Sequence, residues 1–159
     1  MVQTTTGKKS IIQKTRIGSV GIGVFYGLLA AFNLKRGIAL LSDLMNTEEY
    51  VFGSILYYII TYAILGIALL LAALMFLRVA KEGMPFQKKN VRLVRIIGIL
   101  YFAIAVVPAL IASCIAKEPT LLTYILSNLH SIFEGLVLLM IGQILHYGTM
   151  LQQASDETL

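Results

Sequence analysis

Four long apolar stretches, separated by short polar segments, dominate the pattern along the chain. They cover about residues 17–36, 51–77, 93–116 and 121–146. A helix needs about 20 apolar residues to cross the hydrocarbon core of a bilayer, and each stretch is near or above that length. Because lipid offers the backbone no hydrogen-bond partners, each stretch is expected to be helical. The pattern therefore predicts an all-α integral membrane protein with four transmembrane helices in an antiparallel up-down bundle.

The first apolar stretch also has features of a secretory signal peptide, because lysines and an arginine precede it. No small-x-small cleavage site ends it cleanly, since Leu29 of Leu29-Ala30-Ala31 stands where a small residue is needed. We therefore expect this helix to be retained. The predicted organisation is an N-terminal segment (1–16), a transmembrane domain (17–147) and a C-terminal tail (148–159).

The polar connectors contain residues that are typical of helix ends. Asn46 followed by Glu49 resembles a capping box at the start of the second helix. Gly83 and Pro85 favour the end of that helix, because glycine tolerates the left-handed conformation and proline cannot continue the helix. Asn90 is the predicted N-cap of the third helix.

Composition supports a lipid environment. Hydrophobic residues make up 58% of the 159 positions and charged residues 13%, whereas soluble domains have about 25% charged residues. A globule of this size could not bury so much apolar surface. Cys114 is the single cysteine, which excludes an intramolecular disulfide and leaves the redox compartment undetermined.

Basic residues concentrate on one predicted side of the membrane. With an inner N-terminus, the inner segments hold ten of them and the outer segments three, Lys35, Arg36 and Lys117. The ten are Lys8, Lys9, Lys14, Arg16, Arg78, Lys81, Lys88, Lys89, Arg92 and Arg95. The positive-inside rule then predicts that both termini are cytoplasmic.

The residues Lys88, Lys89, Arg92 and Arg95 form a basic cluster where the third helix would enter the membrane. Anionic lipid headgroups are their expected contacts. Nucleic acid is not an expected partner, because the patch is short and Phe86 is its only nearby aromatic residue.

Small residues recur every fourth position on the first helix, at Ser19, Gly23, Gly27 and Ala31. Such a stripe allows another helix to approach closely. Packing within the bundle is the favoured interpretation, and a homo-oligomer formed through the Gly23/Gly27 face is the alternative.

A few polar side chains interrupt the apolar spans. Ser127, His130 and Glu134 lie at helical spacing on the fourth helix, and Thr61 and Tyr62 on the second helix are their predicted partners. An ionised carboxylate at the membrane centre costs about 2.5–3.5 kcal/mol on insertion scales, so such groups are often functional. A proton, cation or small-solute site is one interpretation, and an interhelical hydrogen-bond clamp is the other.

No enzymatic machinery is evident. His130, Glu134 and the distant Cys114 are too few ligands for a zinc site. A Ser-His-Asp arrangement lacks an aspartate inside the spans, and no metalloprotease or phosphate-binding motif is present. We therefore expect no catalytic residue, no bound metal and no cofactor.

Two motifs resemble a known family, the bacterial membrane proteins catalogued as domain of unknown function 2975. The first is the segment "EGMPFQKKNVRLVRIIG", in which the matching residues are Gly83, Pro85, Phe86, Asn90 and Gly98. The second is the ending "ILHYGTMLQQASDETL", matched by Gly148, Leu151, Gln152, Asp156, Thr158 and Leu159, with His146 as a departure. The resemblance implies a four-helix protein of the bacterial cytoplasmic membrane. It also hints at a pathway shared with a helix-turn-helix regulator, and it implies no agreed activity.

Two functional hypotheses follow. The first is an accessory or regulatory membrane protein whose basic loop and acidic tail contact a cytoplasmic regulator or another membrane protein. The second is a transporter or channel subunit for a small cation or solute, with Glu134 and His130 as its polar centre.

Overall fold

The structure, a computed structural model, describes residues 3–44, 49–83, 87–115 and 121–157. Within these ranges the chain forms five α-helices and no strand: α1 Gln3–Leu44, α2 Glu49–Glu82, α3 Lys88–Ile115, α4 Leu121–Ser127 and α5 Leu129–Glu157. Four of them, α1, α2, α3 and α5, are long and apolar enough to cross a membrane. The prediction of an all-α chain with four long apolar helices is therefore confirmed. Asn46, Pro85, Phe86, Thr158 and Leu159 lie outside the described residues.

The long helices pack in sequence order. α2 packs against α1 and α3, and α5 packs against α3, while the described parts of α1 and α5 do not touch. Gly23 lies beside Leu77 and Gly66 beside Leu34, so α1 and α2 are antiparallel. α3 is likewise antiparallel to α2, and α5 is antiparallel to α3. The arrangement is an open row of antiparallel helices, with a gap between its first and last members.

The predicted small-residue stripe of α1 faces α2. A Cβ atom built at Gly23 would lie 3.0 Å from Cγ of Leu77 and 3.3 Å from the carbonyl oxygen of Ala73. Farther along α1 the contact position is Ala30, which is 1% exposed, and Ala31 is exposed. Four-residue steps rotate a stripe by about 40° each around a straight helix, so the stripe leaves the interface. Within the chain, α2 occupies the Gly23/Gly27 face.

Two of the predicted helix-end residues between α2 and α3, Gly83 and Asn90, are described by the structure, and Gly83 has its expected role. Gly83 has φ 71° and its N–H donates to the carbonyl of Val79 (2.8 Å), as expected of a glycine that ends a helix. The prediction of Asn90 as an N-cap is wrong, because the first bond of α3 runs from the N–H of Val91 to the carbonyl of Gln87 (3.0 Å). Asn90 lies inside the first turn and is 1% exposed.

The predicted fourth span, 121–146, is divided at Asn128. The Asn128 N–H donates to the carbonyl of Ile125 (3.1 Å), and its side-chain Nδ2 donates to the carbonyl of Tyr124 (3.3 Å). Asparagine side chains compete in this way for backbone groups that would otherwise continue a helix. The apolar part of α5, long enough to cross a membrane, therefore begins at Leu129 and extends to Ser155.

The surface of the row is apolar. Leu28, Phe133 and Ile144 are 67%, 68% and 68% exposed, and many other large aliphatic side chains point outward with them. The centre contains small residues instead, since Ala105, Ala109 and Ala112 of α3 are fully buried. Pro108 lies between them without ending α3. Small residues at the helix interfaces are typical of helical membrane proteins.

Candidate functional site

A cavity of about 760 Å³ lies between α1, α2, α3 and α5. Its floor is formed by Ala68 and Ala72 of α2 and Ile97 of α3, all of them buried. The small alanine side chains leave space that larger residues would fill. Because α1 and α5 do not pack together in their described parts, the cavity is bordered by these two helices and is open between them.

Aromatic rings form much of the cavity wall. Tyr26 of α1 and Phe76 of α2 are stacked, with ring centroids 5.7 Å apart and an interplanar angle of 4°. Tyr101 of α3 and Phe133 of α5 also line the cavity. The cavity is therefore a largely apolar space with four aromatic residues in its described lining.

Glu134 is the acidic residue of this cavity. Its side chain is exposed and interacts electrostatically with the Tyr101 hydroxyl, with which Tyr26 interacts as well. Among the described lining residues there is no lysine, arginine or histidine. The carboxylate thus shares the cavity with two phenol groups and no basic side chain.

The sequence-predicted neighbours of Glu134 on the same segment do not join it in the cavity. The hydroxyl of Ser127 donates to the carbonyl of Thr123 (2.8 Å), on the other side of the break at Asn128. His130 is exposed and is not part of the cavity lining. Glu134 is therefore placed in the cavity without Ser127 and His130.

The predicted partners on α2 lie elsewhere. The hydroxyl of Thr61 donates to the carbonyl of Tyr57 (2.8 Å), within its own helix. The ring of Tyr62 lies under the guanidinium of Arg36, 5.2 Å from its centroid. The described parts of α2 and α5 do not pack directly against each other. The five candidate residues are therefore not brought together, and the residues that accompany Glu134 are Tyr26 and Tyr101.

Basic side chains surround one end of the cavity. Thr15, Val79, Asn90 and Leu145 lie at this end, which contains the N-terminal part of α1, the α2–α3 hairpin and the C-terminal part of α5. The exposed basic side chains of the hairpin are Lys81, Lys88, Lys89 and Arg92. All four long helices therefore present their predicted inner ends on the same side.

Arg95 differs from the other members of its cluster. It is half-buried, and its Nη2 donates to Oε1 of Gln143 at 3.0 Å. A Cβ atom at Gly142 would lie 3.0 Å from Arg95 Cγ, so the arginine stem fills the space beside this glycine. Arg95 thus joins α3 to α5.

No group of three or more potential metal-ligating side chains occurs in the part of the chain that the structure describes.

Comparison with known proteins supports a single relationship. A family model described as "Protein of unknown function (DUF2975)" matches residues 37–159. No curated protein and no solved structure matches the chain. The match extends from the second half of α1 to the C-terminus and includes the hairpin and the cavity residues of α2, α3 and α5. Because it covers well over half of the chain, the protein belongs to the DUF2975 family.

Proposed function

We propose that this protein is a multi-pass protein of the bacterial cytoplasmic membrane that acts as an accessory or regulatory partner of a cytoplasmic protein. The observation that carries the proposal is the convergence of both termini and the basic hairpin at one end of the helix row. Ten of the 13 basic residues belong to that end. The positive-inside rule assigns such an end to the cytoplasm.

The proposed contact surface combines the hairpin with the end of α5. Lys88, Lys89 and Arg92 are exposed on the first turns of α3. α5 continues as a helix to Glu157, beyond the predicted apolar stretch that ends at residue 146, and exposes Leu151 and Gln152. A partner with an acidic surface and a small apolar patch fits this combination, because opposite charges accelerate encounter and apolar contact retains the partner.

Neutralising the hairpin is expected to release the partner. In the double variant Lys88→Gln/Lys89→Gln, recovery of a cross-linked partner from native membranes should fall roughly fivefold, because two charge contacts are lost. Eight basic residues remain on the inner side, so the orientation in the membrane is retained. Cross-linking in intact cells followed by quantitative mass spectrometry measures the recovery.

The matched control is Lys35→Gln/Arg36→Gln, which removes the same charge from the opposite end of α1. Its recovery of the partner should equal that of the unsubstituted protein. Equal recovery from both double variants would refute the proposed contact surface.

A transporter or channel subunit is the second candidate, and the placement of Glu134 in the cavity favours it. In proteoliposomes, Glu134→Gln is expected to lower the flux of a transported cation about tenfold, since the charged group that attracts the cation is removed. His130→Gln is the control, because His130 does not line the cavity. Unchanged flux in Glu134→Gln would eliminate this candidate.

A further inference from the structure

We propose that the cavity between α1 and α5 binds amphipathic organic cations, with Glu134 as the counter-charge and Tyr26 and Tyr101 as aromatic contacts. This inference goes beyond the proposed regulatory role, because it adds a small-molecule ligand. It does not require that the protein transports this ligand. It rests on the shape, lining and charge of one cavity.

The charge of the cavity selects the sign of the ligand. Glu134 has no basic residue beside it among the described lining residues. A carboxylate in apolar surroundings is stabilised by a cation bound beside it, because Coulomb attraction is strong where water is scarce. An anion of the same size would be repelled. The ligand is therefore positively charged.

The aromatic residues of the cavity lining favour one kind of cation. Rings such as Tyr26, Phe76 and Tyr101 attract a cation over their faces, and this attraction is strongest for ions that lose their hydration shell easily. Organic ammonium and phosphonium ions are of this kind. A small metal ion would need six or more oxygen ligands. Glu134 is the one carboxylate among the described lining residues, and no group of three or more potential metal-ligating side chains occurs among the described residues.

The size and openness of the cavity fit a bulky cation that carries hydrocarbon groups. Its volume of about 760 Å³ lies within the range of small-molecule pockets, roughly 300–1,000 Å³. The buried side chains of Ala68, Ala72 and Ile97 offer an apolar floor to hydrocarbon groups. An amphipathic cation dissolved in the lipid can enter between α1 and α5.

The test compares two ions of the same shape and opposite charge. The full-length protein in nanodiscs is titrated with tetraphenylphosphonium and with tetraphenylborate, and empty nanodiscs provide the blank. We expect saturable binding of tetraphenylphosphonium only. Glu134→Gln should weaken this binding by about tenfold or more, which corresponds to losing one favourable charge contact. Absence of saturable tetraphenylphosphonium binding, or equal binding of both ions, would overturn the proposal.

Two further variants separate the site from general effects of charge and folding. Glu82→Gln removes an equal charge from the exposed end of α2, outside the cavity, and should leave the affinity unchanged. Ala72→Leu fills the floor and should abolish binding while leaving every charge in place. A loss of affinity in Glu82→Gln equal to that in Glu134→Gln would refute the cavity as the site. Because the hairpin lysines are unchanged, failure here leaves the partner proposal standing.

Discussion

Alanine at Gly98 or Gly135 is expected to destabilise the protein by about 1–3 kcal/mol each, the usual cost of forcing an extra group into a packed contact. A Cβ atom at Gly135 would lie 2.9 Å from the carbonyl oxygen of Gly98 and 2.9 Å from a ring carbon of Phe102. A Cβ atom at Gly98 would lie 3.1 Å from the carbonyl oxygen of Gly135. A backbone oxygen in a helix cannot rotate away as a side chain can, so α3 and α5 must separate.

The control is the same substitution at Gly18 and Gly21 of α1, where a Cβ atom would have no described atom within 4 Å apart from the adjacent residues and nearby backbone of α1 itself. Alanine favours helix over glycine by about 1 kcal/mol, so these variants should be as stable as the unsubstituted protein or more stable. Unfolding of the four variants in the same detergent, followed by circular dichroism, measures the difference. Equal stabilities in both pairs would show that α3 and α5 do not cross closely at these glycines.

The helices could be predicted from sequence because their signal is local. Apolar runs of sufficient length predicted the four long helices, and Gly83 predicted the end of α2. Asn90 was misassigned because a polar residue before an apolar run suggests a cap whether it lies before the first turn or inside it. The structure instead buries Asn90 beside the cavity. Local sequence could not distinguish these alternatives.

The cavity could be predicted only in part. Glu134 is recognisable in the sequence as a carboxylate within an apolar span. Tyr26 and Tyr101 lie on other helices, distant in sequence, and nothing in the sequence distinguishes them from the other aromatic residues of those helices. Only the packing order of the helices brings them to one space. Counting residues along the spans predicts Thr61 and Tyr62 as partners at a similar depth, but such a count ignores the face of α2 that each side chain occupies. The depth of a residue in the membrane follows from counting residues along its helix. The direction of its side chain depends on how that helix packs against the neighbouring helices.

Cysteine labelling is expected to show opposite accessibility at the two ends of the helix row. In a Cys114→Ser background, Ser42→Cys should react with a membrane-impermeant maleimide added to intact cells. Lys88→Cys should react only after permeabilisation, with a difference of at least about tenfold, because the charge bias of ten against three directs the hairpin inward. Both positions are exposed, so accessibility reports their side of the membrane. The exposed Cys114 must be removed because it would react as well.

This labelling experiment also separates the two proposals. If Lys88→Cys reacted from outside, the basic end would face away from the cytoplasm, and a cytoplasmic partner could not reach the hairpin. The cavity residues at that end, Thr15 and Asn90, would then lie in the outer half of the membrane. Cation binding at Glu134 would survive this reversal, because it depends on the contents of the cavity and not on its orientation. The regulatory proposal therefore depends on the direction of insertion, whereas the binding site depends only on how the four helices pack.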